Sequence, residues 1–248
     1  MPLGKGRVNF GATGFPGSNA SAAALAAYGI QAFGVGTETY GSTVDEAGGI
    51  IALGTGATDD DNAVLRAGPF APRDGKLVLN ARFKYSNVDC AVFVGFTETL
   101  DTTTPVMPAE FATSTMTYQG SGGMLGLQYD VDGTTDDFRA VMGDGGAARS
   151  DSGSGIRATA TLTADRWFEA VVILNEDGSG ECWLGDSSQA NVLNMNKLRP
   201  IKRFTTGTLL TVTDLFFACL MIEARSSNAR TLEVQVFEGS GAIDWRYN

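Results

Sequence analysis

The chain has 248 residues, 43% of them hydrophobic, enough for one large β-sandwich or two small domains. Its net charge of −10 makes the molecule as a whole repel nucleic acid and anionic membranes, so neither is expected as a partner. Histidine is absent, which excludes serine–histidine and cysteine–histidine nucleophile systems and the usual zinc sites.

Residues 1–45 are rich in Gly, Ala, Ser and Thr. Met1–Arg7 is positively charged but no apolar run follows it, so a cytoplasmic product that is not exported by the usual route is expected. Ala20–Phe33 is interrupted by Gly29 and Gln31 and falls short of the ~20 apolar residues that span a bilayer. A short helix capped at Asn19 or Ser21 and ended by Gly29 fits here. Otherwise residues 1–45 are read as an extended N-terminal arm, either a tail or a segment that orders on a partner. Its removal is expected to leave a folded body.

Residues 46–248 read as one β-domain. Leu77–Tyr85 alternates, with Leu79, Ala81, Phe83 and Tyr85 on one face and Asn80, Arg82 and Lys84 on the other, the period of a half-buried strand. Cys90–Phe96 is apolar on both faces, as a central strand should be. Met124–Tyr129, Phe138–Met142 and Ile156–Leu162 are further candidates, with weaker runs at Gly49–Leu53 and Ala63–Ala67. Trp167–Leu174 turns through Asp177-Gly178 into Glu181–Leu184, the pair supplying the positive φ of a tight reversal. Leu215–Ala224 turns through Ser226–Asn228 into Thr231–Phe237, where Leu232, Val234 and Val236 are expected inward and Glu233 and Gln235 in water.

About ten or eleven strands without core-building helices imply a sandwich or barrel. Glycine supports this, since each one inside a helix costs roughly 1 kcal/mol relative to alanine. Cys90, Cys182 and Cys219 each sit in an apolar run, and an odd number without close spacing reads as small buried hydrophobes. Lys197, Arg199, Lys202 and Arg203 read as a solvated loop.

Several constellations carry chemistry on paper. Asp59-Asp60-Asp61-Asn62 and Asp130, Asp132, Asp136 and Asp137 are either turn residues bonding nearby amides or ligands of a calcium ion, which takes six to eight oxygens. An EF-hand is excluded, since Asp130-Val131-Asp132-Gly133 lacks its later glycine and has Val141 where the bidentate Glu belongs. Glu169 beside Trp167, and Glu181 beside Trp183, would make a glycosidase pair only if they faced each other at roughly 5–10 Å; solvent-facing strand positions explain them more simply. Gly120–Gly123 and Gly143–Gly146 lack the Lys-Ser/Thr and helix of a phosphate loop and read as flexible loops. Leu100–Gln119 is too long for a simple hairpin. Its Met107, Phe111, Met116 and Tyr118 make it either a functional loop or a segment packed back on its own sandwich.

From Asp59 to the C-terminus, the order of features resembles the concanavalin A-like, laminin-G-type jelly roll, and more narrowly the version found in structural proteins of tailed bacteriophages. The residues that carry this are Asp60–Leu65, Val94–Glu98, Tyr129-Asp130 leading to Thr135–Val141, and Arg166–Glu169 through the Asp177-Gly178 turn to Cys182–Leu184. Thr206–Leu210 and Ala224-Arg225 with the closing strand complete them. The resemblance implies an all-β fold, a two-sheet antiparallel jelly-roll sandwich with an N-terminal arm, and a place on a virion. The expected function is a non-enzymatic capsid decoration protein, favoured as a homotrimer, with the major capsid protein or other virion proteins as partners. The alternative is a carbohydrate-binding module of a tail fibre or head appendage, with Trp183, Trp245 or Tyr118 as its aromatic platform. No catalytic, cofactor-binding or metal-ligating residue is assigned, and no cofactor is expected.

Overall fold

The computed structural model describes residues 6–13, 25–26, 29–35, 39–43, 49–113, 115–118, 122–133, 137–144, 147–150, 166–187, 198–205 and 210–243. In chain order the first strands are β1 (Gly6–Thr13), β2 (Ile30–Val35), β3 (Thr39–Thr43), β4 (Ile50–Gly54), β5 (Asn62–Phe70), β6 (Leu77–Tyr85) and β7 (Cys90–Thr97). Next come β8 (Ala109–Ala112), β9 (Thr115–Tyr118), β10 (Met124–Asp130), β11 (Arg139–Asp144) and β12 (Ala147–Ser150). The last are β13 (Trp167–Leu174), β14 (Gly180–Ser187), β15 (Arg199–Phe204), β16 (Phe216–Ala224) and β17 (Thr231–Ile243).

One sheet runs β15-β14-β13-β6-β17-β4-β3, with β1 also on β17; the other runs β12-β11-β10-β7-β16-β5-β2. All ladders within the two sheets are antiparallel. The chain is therefore the two-sheet antiparallel sandwich that its alternating pattern implies.

Between the sheets lies a core in which Leu79, Ala81, Phe83 and Tyr85 of β6 meet Val92, Val94 and Phe96 of β7. Tyr85 stacks on Tyr129 at 5.4 Å and on Phe168 at 5.6 Å, and Phe83 meets Phe138 edge-on at 5.9 Å. Such ring pairs contribute about 0.5–1.5 kcal/mol each beyond their buried area. All three cysteines are free and buried. The two-faced apolarity of β7 has a direct cause. Its even-numbered residues enter this core, while Ala91 and Phe93 enter a second one on the outer face of the same sheet.

That second core forms because Glu98–Tyr118 folds back over the sheet. It carries the β8–β9 hairpin and buries Leu100, Met107, Ala109 and Phe111 against Val64, Phe93, Val141 and Met221. The segment packs on its own sandwich, one of the two roles open to it.

Several local expectations change. A bulge in β17 between Val234 and Val236 shifts the alternation, so Phe237 rather than Val236 joins the inter-sheet core and Gln235 is buried. Arg199, Lys202 and Arg203 belong to the edge strand β15, not to a loop. Gly143 and Asp144 end β11 and pair with β12. The expected strand Ile156–Leu162 lies outside the described residues, as does most of the helix expected before Gly29.

Residues 1–45 supply three strands of the two sheets: β1 pairs with β17, β2 with β5 and β3 with β4. These three strands find their partners in the body of their own chain. Phe10 of β1 stacks on Phe70 with ring centroids 5.1 Å apart. Gly11 holds φ at 96°, and a Cβ there would lie 2.0 Å from the Phe237 carbonyl oxygen, so only glycine fits the crossing.

Candidate functional site

The two acidic runs separated in sequence meet in space. Both lie at the end of the second sheet where β16 finishes, on its outer face. In one row of that face Asn62 (β5) is paired with Glu223 (β16), Glu223 with Ala91 (β7), and Ala91 with Asp130 (β10). The loop before β5 is tied to the same corner, since Asp60 N–H donates to the Ala224 carbonyl at 3.0 Å and Ala224 N–H to that of Asp61 at 2.9 Å.

Arg225 stands at the centre, its side chain 6% exposed. Its Nε and Nη2 donate to the two oxygens of Asp130 at 3.2 and 2.9 Å, and Nη1 donates to Asp60 Oδ1 at 3.1 Å. Glu223 lies 2.8 Å from Nη1, Glu110 3.9 Å from Nη2 and Asp132 3.9 Å from Nε. Asp130 is fully buried and also accepts from the backbone N–H groups of Phe111 at 2.9 Å and Asp132 at 3.2 Å. A carboxylate with this many donors is fixed in place, and so is the guanidinium it holds in fork geometry.

Two of the other carboxylates reach water, while Glu223 is buried. Asp60 is 73% exposed and Asp132 60%. Burial pushes the Glu223 carboxyl up to about 8; Arg225 opposes this, and Glu110, Asp60 and Asp130 add to it. Burial also raises Asp132, with Asp130 as the next cause. For Arg225, burial alone would lower the pKa, but the surrounding carboxylates outweigh it and the guanidinium stays charged.

Backbone strain collects here as well. Among the described residues the non-glycine positions with positive φ are Asp60 at 68° and Thr113 at 59°. Thr113, β-branched and thus costly in that region, donates its N–H to the Asp132 carbonyl at 2.8 Å and bridges Gly133. Both strained residues therefore border the Arg225 cluster.

Calcium does not fit this cluster. The centre of the carboxylates, where a calcium ion would gather its oxygens, is filled by the Arg225 guanidinium, and among the described residues no three His, Cys, Asp or Glu are arranged to hold a metal ion. Asp136 lies outside the described residues.

The second acidic pair does not come together. Glu169 faces Gly185 across the ladder and Glu181 faces Ile173, so four residues of strand, about 13 Å, separate them. Glu169 is not solvent-facing as its neighbours suggested: it is buried and pairs with Arg82 at 3.0 Å. Glu181 accepts from Trp183 Nε1 at 3.2 Å and pairs with Arg203 at 3.2 Å. Arg203 lies over the Trp183 ring at 5.6 Å, so one ring face is already engaged. Trp245 and the side chain of Tyr118 lie outside the described residues.

Sequence reasoning missed Arg225, Glu110 and Glu223 as members of one site. One signal was present: Glu223 interrupts the otherwise apolar Phe216–Ala224, and a charge in a buried strand demands a partner.

No protein-family model matches the sequence, and no curated protein matches it. Solved structures do match. Peanut lectin, determined with a nine-residue peptide, superposes with a TM-score of 0.55 at 12% identity, over 96% of this chain and 99% of that one. Lectin I from Ulex europaeus, in complex with the methyl glycoside of α-L-fucose, gives 0.54 at 11% identity, over 95% and 98%. The CBM2 module of the evolved Dit of Lactobacillus casei BL23 phage J-1 gives 0.52 at 9% identity, over 98% and 100%. The fold of this chain is the concanavalin A-like β-sandwich.

Proposed function

We propose that this chain is a non-enzymatic glycan-binding protein whose site is the Arg225 corner. The observation that carries the reading is a set of exposed carboxylates held rigid from below. Asp60 and Asp132 reach water, while buried Arg225 and Asp130 fix the frame they stand on. Saccharide hydroxyls donate well to carboxylates, at roughly 1.5–3 kcal/mol per charge-assisted bond, and a preorganised acceptor loses little rotamer freedom on binding. The fold likeness to two plant lectins and a phage carbohydrate-binding module supports the same reading.

The setting proposed is a phage particle, where such a module would contact saccharides of the host surface; the likeness to the phage Dit module supports it. Capsid decoration as a homotrimer on the major capsid protein is the weaker reading. One of its supports was an arm that orders on a partner, and β1–β3 pair within their own chain.

A saccharide array tests the proposal. The purified chain should bind a defined subset at millimolar affinity or better, and Asp60→Ala with Asp132→Ala should abolish this while Trp183→Ala does not. Loss of binding on Trp183→Ala alone would move the site to the other sheet, and no binding at all would end the reading. Release of reducing ends from a polysaccharide would overturn its non-enzymatic part.

A further inference from the structure

We infer that the Arg225 corner selects saccharides bearing a protonated amine, so that its ligand class is amino-sugar glycans rather than neutral or carboxylated ones. This rests on the glycan-binding reading above and adds to it the charge of the ligand.

The argument begins with charge. Asp60, Asp130, Asp132 and Glu223 converge on a single guanidinium, so these four carboxylates carry three negative charges more than it balances. The excess is two when Glu223 holds its proton at neutral pH. The nearby Arg230 does not offset them, because it is engaged by the Asp89 carbonyl at 2.8 Å, the Asp89 carboxylate at 3.3 Å and the Ser226 hydroxyl at 2.6 Å.

Hydrogen-bonding capacity points the same way. The donors of Arg225 are already directed at Asp130, Asp60 and Glu223, so the guanidinium offers little to a ligand. Independently of the carboxylates, Asn62 is 1% exposed and stands beside Glu223 on the same face; its Nδ2 donates to the Pro105 carbonyl at 2.7 Å. Its Oδ1 has no hydrogen-bond partner among the described residues. Spare capacity at the corner is therefore acceptor capacity: the Asn62 amide oxygen and the exposed carboxylates of Asp60 and Asp132.

An ammonium group answers both features at once. It brings three N–H donors, no acceptor and a positive charge on one atom. A hydroxyl brings a donor without the charge, an acetamide spends the amine's charge, and a uronic acid adds like charge to a site already in surplus.

The test is an array of matched oligosaccharides carrying free amines, acetamides, hydroxyls alone or carboxylates, probed with the full chain at low and high salt. Amine-bearing saccharides should bind at least about tenfold more tightly than their N-acetylated counterparts, with the ratio shrinking as salt rises. Asp60→Asn and Asp132→Asn together should bring the ratio close to one, and asparagine accepts the left-handed backbone at residue 60. Equal affinity, or preference for acetamides or carboxylates, overturns this inference and leaves the glycan reading standing. Failure to bind any of the four classes overturns both.

Discussion

Glu223 is a glutamate inside an apolar strand, sharing one guanidinium with four other carboxylates. Its folded pKa of about 8 lies above the ordinary 4.5, so between those pH values the folded protein keeps a proton that the unfolded chain has lost. Stability contributed by this group is complete below pH 4.5, falls as pH rises through the window, and is lost above pH 8. The predicted loss is on the order of 2–4 kcal/mol. Urea unfolding at about pH 5, 6.5 and 8, which spans that window, checks it: Glu223→Gln should flatten the slope relative to the natural chain, and parallel slopes would contradict the assignment. A second buried ion pair makes a sharper prediction. Glu169→Ala removes the carboxylate 3.0 Å from the fully buried Arg82 guanidinium and should cost about 3–5 kcal/mol, read from the urea midpoint; a loss below about 1 kcal/mol, the range of an exposed pair, would place the pair in water. Periodicity put Arg82 and Glu169 on the right face, but it could not tell that these two positions are buried while Asn80, Lys84 and Val171 on the same face are only half-buried.

At the scale of elements, the strands of the sandwich body were legible wherever side chains alternate or run apolar, as in β6, β7, β13 and β16. The same rules failed on β1–β3. Their Gly, Ala, Ser and Thr content offers little to bury, and their pairing is carried by the backbone edges of β17, β5 and β4. Residues 1–45 are nevertheless tied into the fold: Phe10 packs between Phe70 and Phe237, and Ile30 is completely buried. Deleting them should open edges of both sheets and leave a fragment that aggregates or unfolds at much lower urea, contrary to what composition alone suggests. Soluble yield and the urea midpoint of residues 46–248 decide the matter, and a midpoint equal to that of the full chain would contradict it. The long segment after β7 was recognised as special by its length, but the two apolar faces of β7 did not by themselves say which segment covers the outer one.

For the whole molecule, composition spoke to charge and fold class, and the structure concentrates part of that charge at one corner. The two acidic runs were visible as candidates; that they meet, and meet around Arg225 rather than a metal ion, depends on which strands become neighbours in the second sheet, which no local pattern encodes. The central claim is that this corner binds saccharide. Amide hydrogen exchange with and without a saturating saccharide chosen from the array tests it most directly. New protection should fall on the loops around Asp60, Thr113, Asp132 and Arg225. Protection confined to β13–β15 around Trp183 would contradict the account.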